Sequence, residues 1–151
     1  MTKITYLTGD ATSPIGEGQK IICHICNDIG AWGAGFVLAI SKKWKEPEAM
    51  YRTLMHPRTL GNVQMVRVTE NITVANMIAQ RDIKHDSTGR APIRYNAVRA
   101  ALIIVNECAL MNNSTLHMPR IGCGLAGGSW DEIELIINDV VTVDVYVYDL
   151  K

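Results

Sequence analysis

Four glycines fall within seven residues late in the chain, Gly122-Cys123-Gly124-Leu125-Ala126-Gly127-Gly128. The next residues, Ser129-Trp130-Asp131-Glu132, have the Ser-x-x-Glu spacing of a helix capping box. Glycine lets successive backbone N–H groups turn toward one point and lets a ligand come close. A helix start adds unpaired donors at the positive end of its dipole. The chemistry such a loop suits is anion binding, with phosphate as the natural guest. Gly122, Gly124 and Gly127 also spell Gly-x-Gly-x-x-Gly, and Asp144 follows about twenty positions on, as in dinucleotide-binding folds. Those folds carry the motif in their first strand-turn-helix and the acid at the end of the next strand. Here the motif comes late and Asp144 opens a strand, which argues against that reading. A tight turn without a ligand is the plain alternative.

A second cluster, Gly30-Ala31-Trp32-Gly33-Ala34-Gly35, also follows an apolar run and precedes a helical one. In open α/β sheets ligands bind beyond the carboxyl ends of strands, so both clusters are expected on one rim, where they can hold a diphosphate between them. Polar residues at strand ends join them: Asp10, His24, Asn27, Asp28, Asn76 and Gln80, with Arg81, Lys84 and His85 from a long loop. Asp10 could accept from the exocyclic amine of a base, or simply close a turn after Gly9. Asn27 could bond sugar hydroxyls with both its donor and its acceptor, or close a turn of its own. His24 is a proton carrier if its ring reaches the cleft and a core histidine if it does not. Trp32 either stacks on a ligand ring or wedges the loop against the core. Asp131 and Glu132 read as first-turn helix acids.

The elements that must position these residues alternate along the chain. Lys3 to Leu7 reads as a short strand and Lys20 to Ile25 as a strand buried on both faces. Phe36 to Trp44 reads as a helix, and Pro47 opens a second through about Met55. Val63 to Thr69 and Ile72 to Ala79 form a hairpin across Glu70-Asn71, and residues 80–92 form a long polar loop. Arg94 to Met111 is the clearest helix, followed by a strand at Thr115 to Met118, a helix at Asp131 to Val141 and a strand at Val143 to Tyr148. This order predicts one domain, a three-layer α/β/α sandwich around a mixed, mostly parallel sheet.

The chain has 151 residues, with fifteen basic residues against fifteen acidic ones. No overall field exists to hold a polyanion, while a small anionic ligand remains open. No apolar run approaches signal-peptide or membrane-helix length, so a soluble, cytoplasmic protein is expected; a monomer is expected as well. Cys23, Cys26, Cys108 and Cys123 lie in or beside apolar runs, as reduced core thiols do. Cys23-His24-Ile25-Cys26 spells C-x-x-C, but residues three apart on a strand point to opposite faces and cannot chelate one ion. No metal and no cofactor is expected, and a redox or metal protein is the weakest alternative.

Together these residues resemble the macrodomain family, the ADP-ribose-binding α/β/α module. The segments carrying the resemblance are Gly9-Asp10, the run from His24 to Gly35, Asn76 to Gln80, and the run from Met118 to Gly128. They are most similar to the branch containing ADP-ribose-1″-phosphate phosphatases, terminal ADP-ribose glycohydrolases and small bacterial and phage "Appr-1″-p processing" proteins. The resemblance implies that Asp10 meets the adenine amine and that Asn27 lies near the distal ribose. It also implies that Gly33 to Gly35 and Gly122 to Gly127 embrace the diphosphate. The ligand-binding set is then Gly9, Asp10, Asn27, Ala31, Trp32, Gly33, Ala34, Gly35, Gln80 and the run Arg120, Ile121, Gly122, Cys123, Gly124, Leu125, Ala126 and Gly127. In the glycohydrolase a catalytic lysine follows the strand matching Asn76 to Ala79, and an aspartate follows Gly-Cys-Gly-Leu. Gln80 and Ala126 stand there in this chain. The resemblance therefore implies hydrolysis of ADP-ribose-1″-phosphate or of an ADP-ribosyl ester, with His24, Asn27, Asp28 and Asp131 as catalytic candidates. The rival is a non-catalytic reader of ADP-ribose or of ADP-ribosylated protein or nucleic acid.

Overall fold

The computed structural model describes residues 3–53 and 58–150. The elements run β1 (Ile4–Thr8), β2 (Gln19–Asn27), α1 (Phe36–Lys43), α2 (Glu46–Arg52), β3 (Val63–Arg67), β4 (Ile72–Gln80), α3 (Tyr95–Asn112), β5 (Ser114–Met118), α4 (Trp130–Val140) and β6 (Val145–Asp149). α2 ends at Arg52, and the expected end at Met55 lies outside the described residues. The six strands form one sheet in the order β1-β6-β5-β2-β4-β3. Every pair is parallel except the β3–β4 hairpin, so the sheet is mixed and mostly parallel, as the alternation of elements implies.

The central strands are apolar on both faces because both faces are covered. Ile21 and Cys23 of β2, with Ala75 and Met77 of β4, pack under α3 and α4. Ile22 and Cys26, with Val74 and Ile78, pack under α1 and α2. Cys23 and Cys26 thus face opposite layers. α3 presents Val98, Ala101, Leu102, Val105 and Ala109 to the sheet at helical spacing, all fully buried. Each larger aliphatic buried this way contributes on the order of 1.5–3 kcal/mol. The helix stops at Asn113, whose left-handed φ of 53° lets its N–H close on the Ala109 carbonyl.

Connectivity creates a crevice. After β2 the chain crosses through α1 and α2 on one face toward β3. After β5 it crosses through α4 on the other face toward β6. β5 to β6 is a parallel crossover, whereas β3 runs antiparallel to β2, and in the strand order the two connections lead toward opposite edges of the sheet. β2 and β5 are neighbours, and the chain leaving them parts to either side of the sheet. That is a topological switch point, where ligands settle in α/β folds.

Two histidines are sealed in this core. His24 is 1% exposed and His117 is fully buried. Burial pushes the His24 imidazole down to about 4, although its Asn76 bond favours the charged form. His117 is likewise pushed down to about 4, by burial and then by the charge of Lys20. The unfolded chain takes up these protons near 6.5 and the folded one near 4, so protonation favours unfolding across that interval. The urea midpoint is expected to fall steadily as pH drops from 6.5 toward 4, and to fall less in His117→Gln. A midpoint unchanged across that window would contradict this.

Candidate functional site

The loop leaving β2 is built around the Asn27 side chain. Its Oδ1 accepts from the Ile29 N–H at 3.2 Å, the Ala31 N–H at 3.0 Å and the Tyr51 hydroxyl at 2.6 Å. Its Nδ2 donates to the Ala31 carbonyl at 2.7 Å. The Gly30 N–H donates to the Tyr51 oxygen at 3.1 Å, and that hydroxyl also approaches the Asn27 carbonyl at 2.7 Å. Gly30 turns the chain with φ 85°, and Gly35, also at φ 85°, starts α1. The turn consumes the Asn27 side chain and the N–H groups of Ile29, Gly30 and Ala31. The N–H groups of Gly33, Ala34 and Gly35 make no hydrogen bond among the described residues.

The loop leaving β5 closes on itself. Gly128 N–H donates to the Gly122 carbonyl at 2.7 Å, and a Cβ on Gly128 would lie 2.5 Å from that oxygen, so no other residue fits without moving backbone. Gly122 holds φ 75° with the Ile93 and Ile25 side chains where a Cβ would stand. The ring thus formed exposes Gly124 and Leu125 and buries Ala126, and the N–H groups of all three make no hydrogen bond among the described residues. The Ala126 carbonyl accepts from Ile93 N–H at 3.1 Å, anchoring the ring to the end of the 80–92 loop.

The two loops meet. A Cβ on Gly35 would stand 3.5 Å from Cδ1 of Leu125, a side chain 68% exposed and otherwise open to solvent. Two runs of unpaired amides therefore flank the crevice between β2 and β5, one at a helix start, which is how a protein seats an anion without a cationic side chain. Asp10 follows β1, three strand steps from β2, or roughly 14 Å at the usual strand spacing. Its Oδ1 accepts from Thr12 N–H at 2.8 Å and Thr12 hydroxyl at 2.7 Å, and Oδ2 makes no hydrogen bond among the described residues. Burial pushes its carboxyl up, but the Thr12 bonds and the charge of Lys43 outweigh that and hold it below the ordinary value. On the other side of the crevice, Asp28 Oδ1 accepts from Asp82 N–H at 2.7 Å and Gln80 Nε2 donates to the Asp82 carbonyl at 2.9 Å.

Several residues expected at the rim have other places. His24 lies beneath it, with Nε2 2.6 Å from Asn76 Oδ1 and its ring edge-on to Trp32. Asn76 spends its amide on the Pro47 carbonyl and the Gln64 side chain and does not reach the rim. Trp32 is 4% exposed and donates to Ser41, so its ring wedges the loop. Asn27 Oδ1 accepts from three donors and Nδ2 donates to the Ala31 carbonyl, so the side chain is turned to its own loop. Ala31 has both backbone groups bonded to Asn27, and Ile121 is buried. The Arg120 guanidinium binds Asp149 at 2.8 and 3.0 Å and lies over Tyr6 and Trp130. Cys123 Sγ donates to the Ile121 carbonyl at 3.4 Å, and burial pushes its thiol up. Asp131 is exposed on the first turn of α4. The capping box is not made: Ser129 stands at the N-cap without a side-chain bond, and its N–H donates to the Tyr95 hydroxyl at 2.9 Å. Sequence reasoning missed Tyr51 of α2 and Arg58 beyond it, which touch Gly30, and no local spacing announces either. Among the described residues no group of three His, Cys, Asp or Glu could hold a metal ion, and no helix is long and apolar enough to cross a membrane.

No family model matches the chain. A solved structure of a protein of unknown function from Bacteroides thetaiotaomicron is 52% identical, covers 97% of this chain and 98% of its own, and superposes with a TM-score of 0.92. Among curated proteins, the mouse chromodomain-helicase-DNA-binding protein 1-like is 28% identical over 97% of this chain, which spans only 18% of that protein's length. ADP-ribose 1″-phosphate phosphatase of Meyerozyma guilliermondii is 24% identical over 97% of this chain and 99% of its own. ADP-ribose glycohydrolase OARD1 of Bos taurus is 26% identical over 92% and 84%. A macrodomain protein from Streptomyces coelicolor is 44% identical, covers 97% of this chain and 99% of its own, and superposes with a TM-score of 0.85. Switch-point crevice, paired glycine loops and this likeness agree: the chain belongs to the macrodomain family.

Proposed function

We propose that the chain binds ADP-ribose across the rim and hydrolyses a derivative of it, as an ADP-ribose-1″-phosphate phosphatase or an ADP-ribosyl hydrolase. The observation that carries this reading is the pair of unpaired amide runs, at 33–35 and 124–126, flanking one crevice. Such a seat suits a diphosphate. The carboxylate of Asp10, roughly 14 Å to one side, suits an adenine amine, since a base, ribose and diphosphate span about that length. The terminal ribose then falls at the ends of β2 and β4, beside Asn27, Asp28 and Gln80. The relatives named as phosphatase and glycohydrolase match nearly the whole chain, which supports the hydrolytic reading.

Within this reading His24 is not the proton carrier, because it is sealed beneath the rim and neutral down to about pH 4. Asp28 is the carboxylate suited to orient an attacking water, with Oδ1 fixed by Asp82 N–H and Oδ2 unbonded. Asp131 is farther round the rim, on α4. A reader of ADP-ribosylated protein or nucleic acid is the second reading, favoured by Gln80 and Ala126 standing where the similar glycohydrolases carry their lysine and aspartate.

Calorimetry with ADP-ribose is expected to give saturable heat, and Asp10→Ala to weaken binding roughly tenfold, the loss of one charge-assisted bond. No heat at high protein concentration overturns the binding claim. Incubation with ADP-ribose-1″-phosphate is expected to release inorganic phosphate, and Asp28→Asn to slow release roughly a hundredfold while ADP-ribose still binds. Binding without phosphate or free ADP-ribose as product would select the reader.

A further inference from the structure

We propose that Arg58 reads the anionic group carried by the terminal ribose, acting as a two-pronged receptor for a 1″-phosphate. This assignment rests on the ADP-ribose reading of the rim and adds a substrate-discriminating residue to it. Arg58 follows α2 and reaches back to the loop that leaves β2. Its NH1 donates to the Tyr51 carbonyl at 3.0 Å, and its guanidinium lies over the Tyr51 ring at 5.4 Å. It also lies flat on Gly30, where a Cβ would stand 3.1 Å from Cζ, so a side chain at position 30 would displace it.

The opposite edge of the guanidinium is unused. Nε is the single buried side-chain polar atom among the described residues without a hydrogen bond, and NH2 makes none either. Nε and NH2 together form the parallel-donor edge that matches two oxygens of a phosphate. Leaving a charged donor buried and unbonded is costly, and a ligand oxygen relieves that cost. The surrounding charges do not supply a substitute. Arg52, which also touches Gly30 through its carbonyl, pairs with Glu48 at 2.8 Å, and Asp28 spends Oδ1 on Asp82 N–H. Arg58 makes no ion pair among the described residues. On the proposed reading the terminal ribose lies at the end of β2, and the Tyr51 ring under Arg58 is the one whose hydroxyl holds Asn27 there. The cation and the far end of the ligand therefore share one small polar cluster.

Calorimetry on the whole chain, comparing ADP-ribose with ADP-ribose-1″-phosphate, separates the possibilities. Arg58→Gln keeps a flat amide against Tyr51 and Gly30 but removes the charge and the fork; Arg58→Lys keeps the charge alone. Wild type is expected to prefer the phosphate-bearing ligand roughly tenfold, and Arg58→Gln to lose that preference while its ADP-ribose affinity stays within about twofold. Arg58→Lys is expected to retain part of it. The wild-type preference should also grow as pH rises through about 6, where a phosphate monoester takes its second charge, and be flat in Arg58→Gln. Equal losses for both ligands would make Arg58 a brace for the Gly30 turn and overturn the assignment, as would no loss for either. Wild-type protein that binds neither ligand overturns the reading of the rim, and this assignment with it.

Discussion

Everything at the candidate site depends on β2 and β5 being parallel neighbours whose chains must depart to opposite faces of the sheet. The strand order sends the chain from β2 toward one edge of the sheet and from β5 toward the other, which makes their carboxyl ends a switch point. Glycine on both sides then follows physically. On one side Gly30 and Gly35 take positive φ so that the chain can turn from strand to helix within a few residues. On the other, Gly122 and Gly128 lie so close that a Cβ on Gly128 would overlap a carbonyl. Both loops spend their flanking polar groups on holding their own shape. What remains for a guest is a set of main-chain amides, which gives anion affinity without net charge in a chain whose charges balance.

Side-chain chemistry supports that backbone device and does not replace it. Asn27, Tyr51 and Arg58 form a cluster in which one amide and one hydroxyl fix three consecutive residues of the loop. Burial pushes the Tyr51 hydroxyl up, away from ionisation, so it stays a donor to Asn27 at any physiological pH. Thr12, Lys43 and Asp10 play the matching part at the other end, where the last turn of α1 is tied to the Thr12 carbonyl at 2.8 Å. The two ends of the rim are thereby fastened to the same helix layer, α1 and α2.

The strands and helices were legible because burial imposes a pattern: β2 and β4 carry apolar runs that supply both faces, and α3 shows its stripe. The glycine clusters were legible as loops, and their common rim followed from strand-then-helix order. The fates of individual polar side chains were not. Whether Asn27 faces a sugar or its own loop depends on Tyr51, 24 residues away. Arg120 is removed from the crevice by Asp149, and His24 is held under it by Asn76, partners that only the sheet order brings together. Ser129 marked the start of α4 correctly, yet its capping bonds yield to a hydroxyl from Tyr95 on another helix. Short-range patterns locate elements; long-range pairing decides what a polar group is free to do.

On the proposed function, opposed main-chain amides seat the diphosphate. Amide ¹H–¹⁵N chemical shifts recorded while ADP-ribose is added test it most directly. The largest changes are expected at Gly33, Ala34 and Gly35 and at Gly124, Leu125 and Ala126, saturating together. Changes confined elsewhere, for example to the hollow at the opposite ends of the strands lined by Gln19, Arg67 and Ser114, would contradict it.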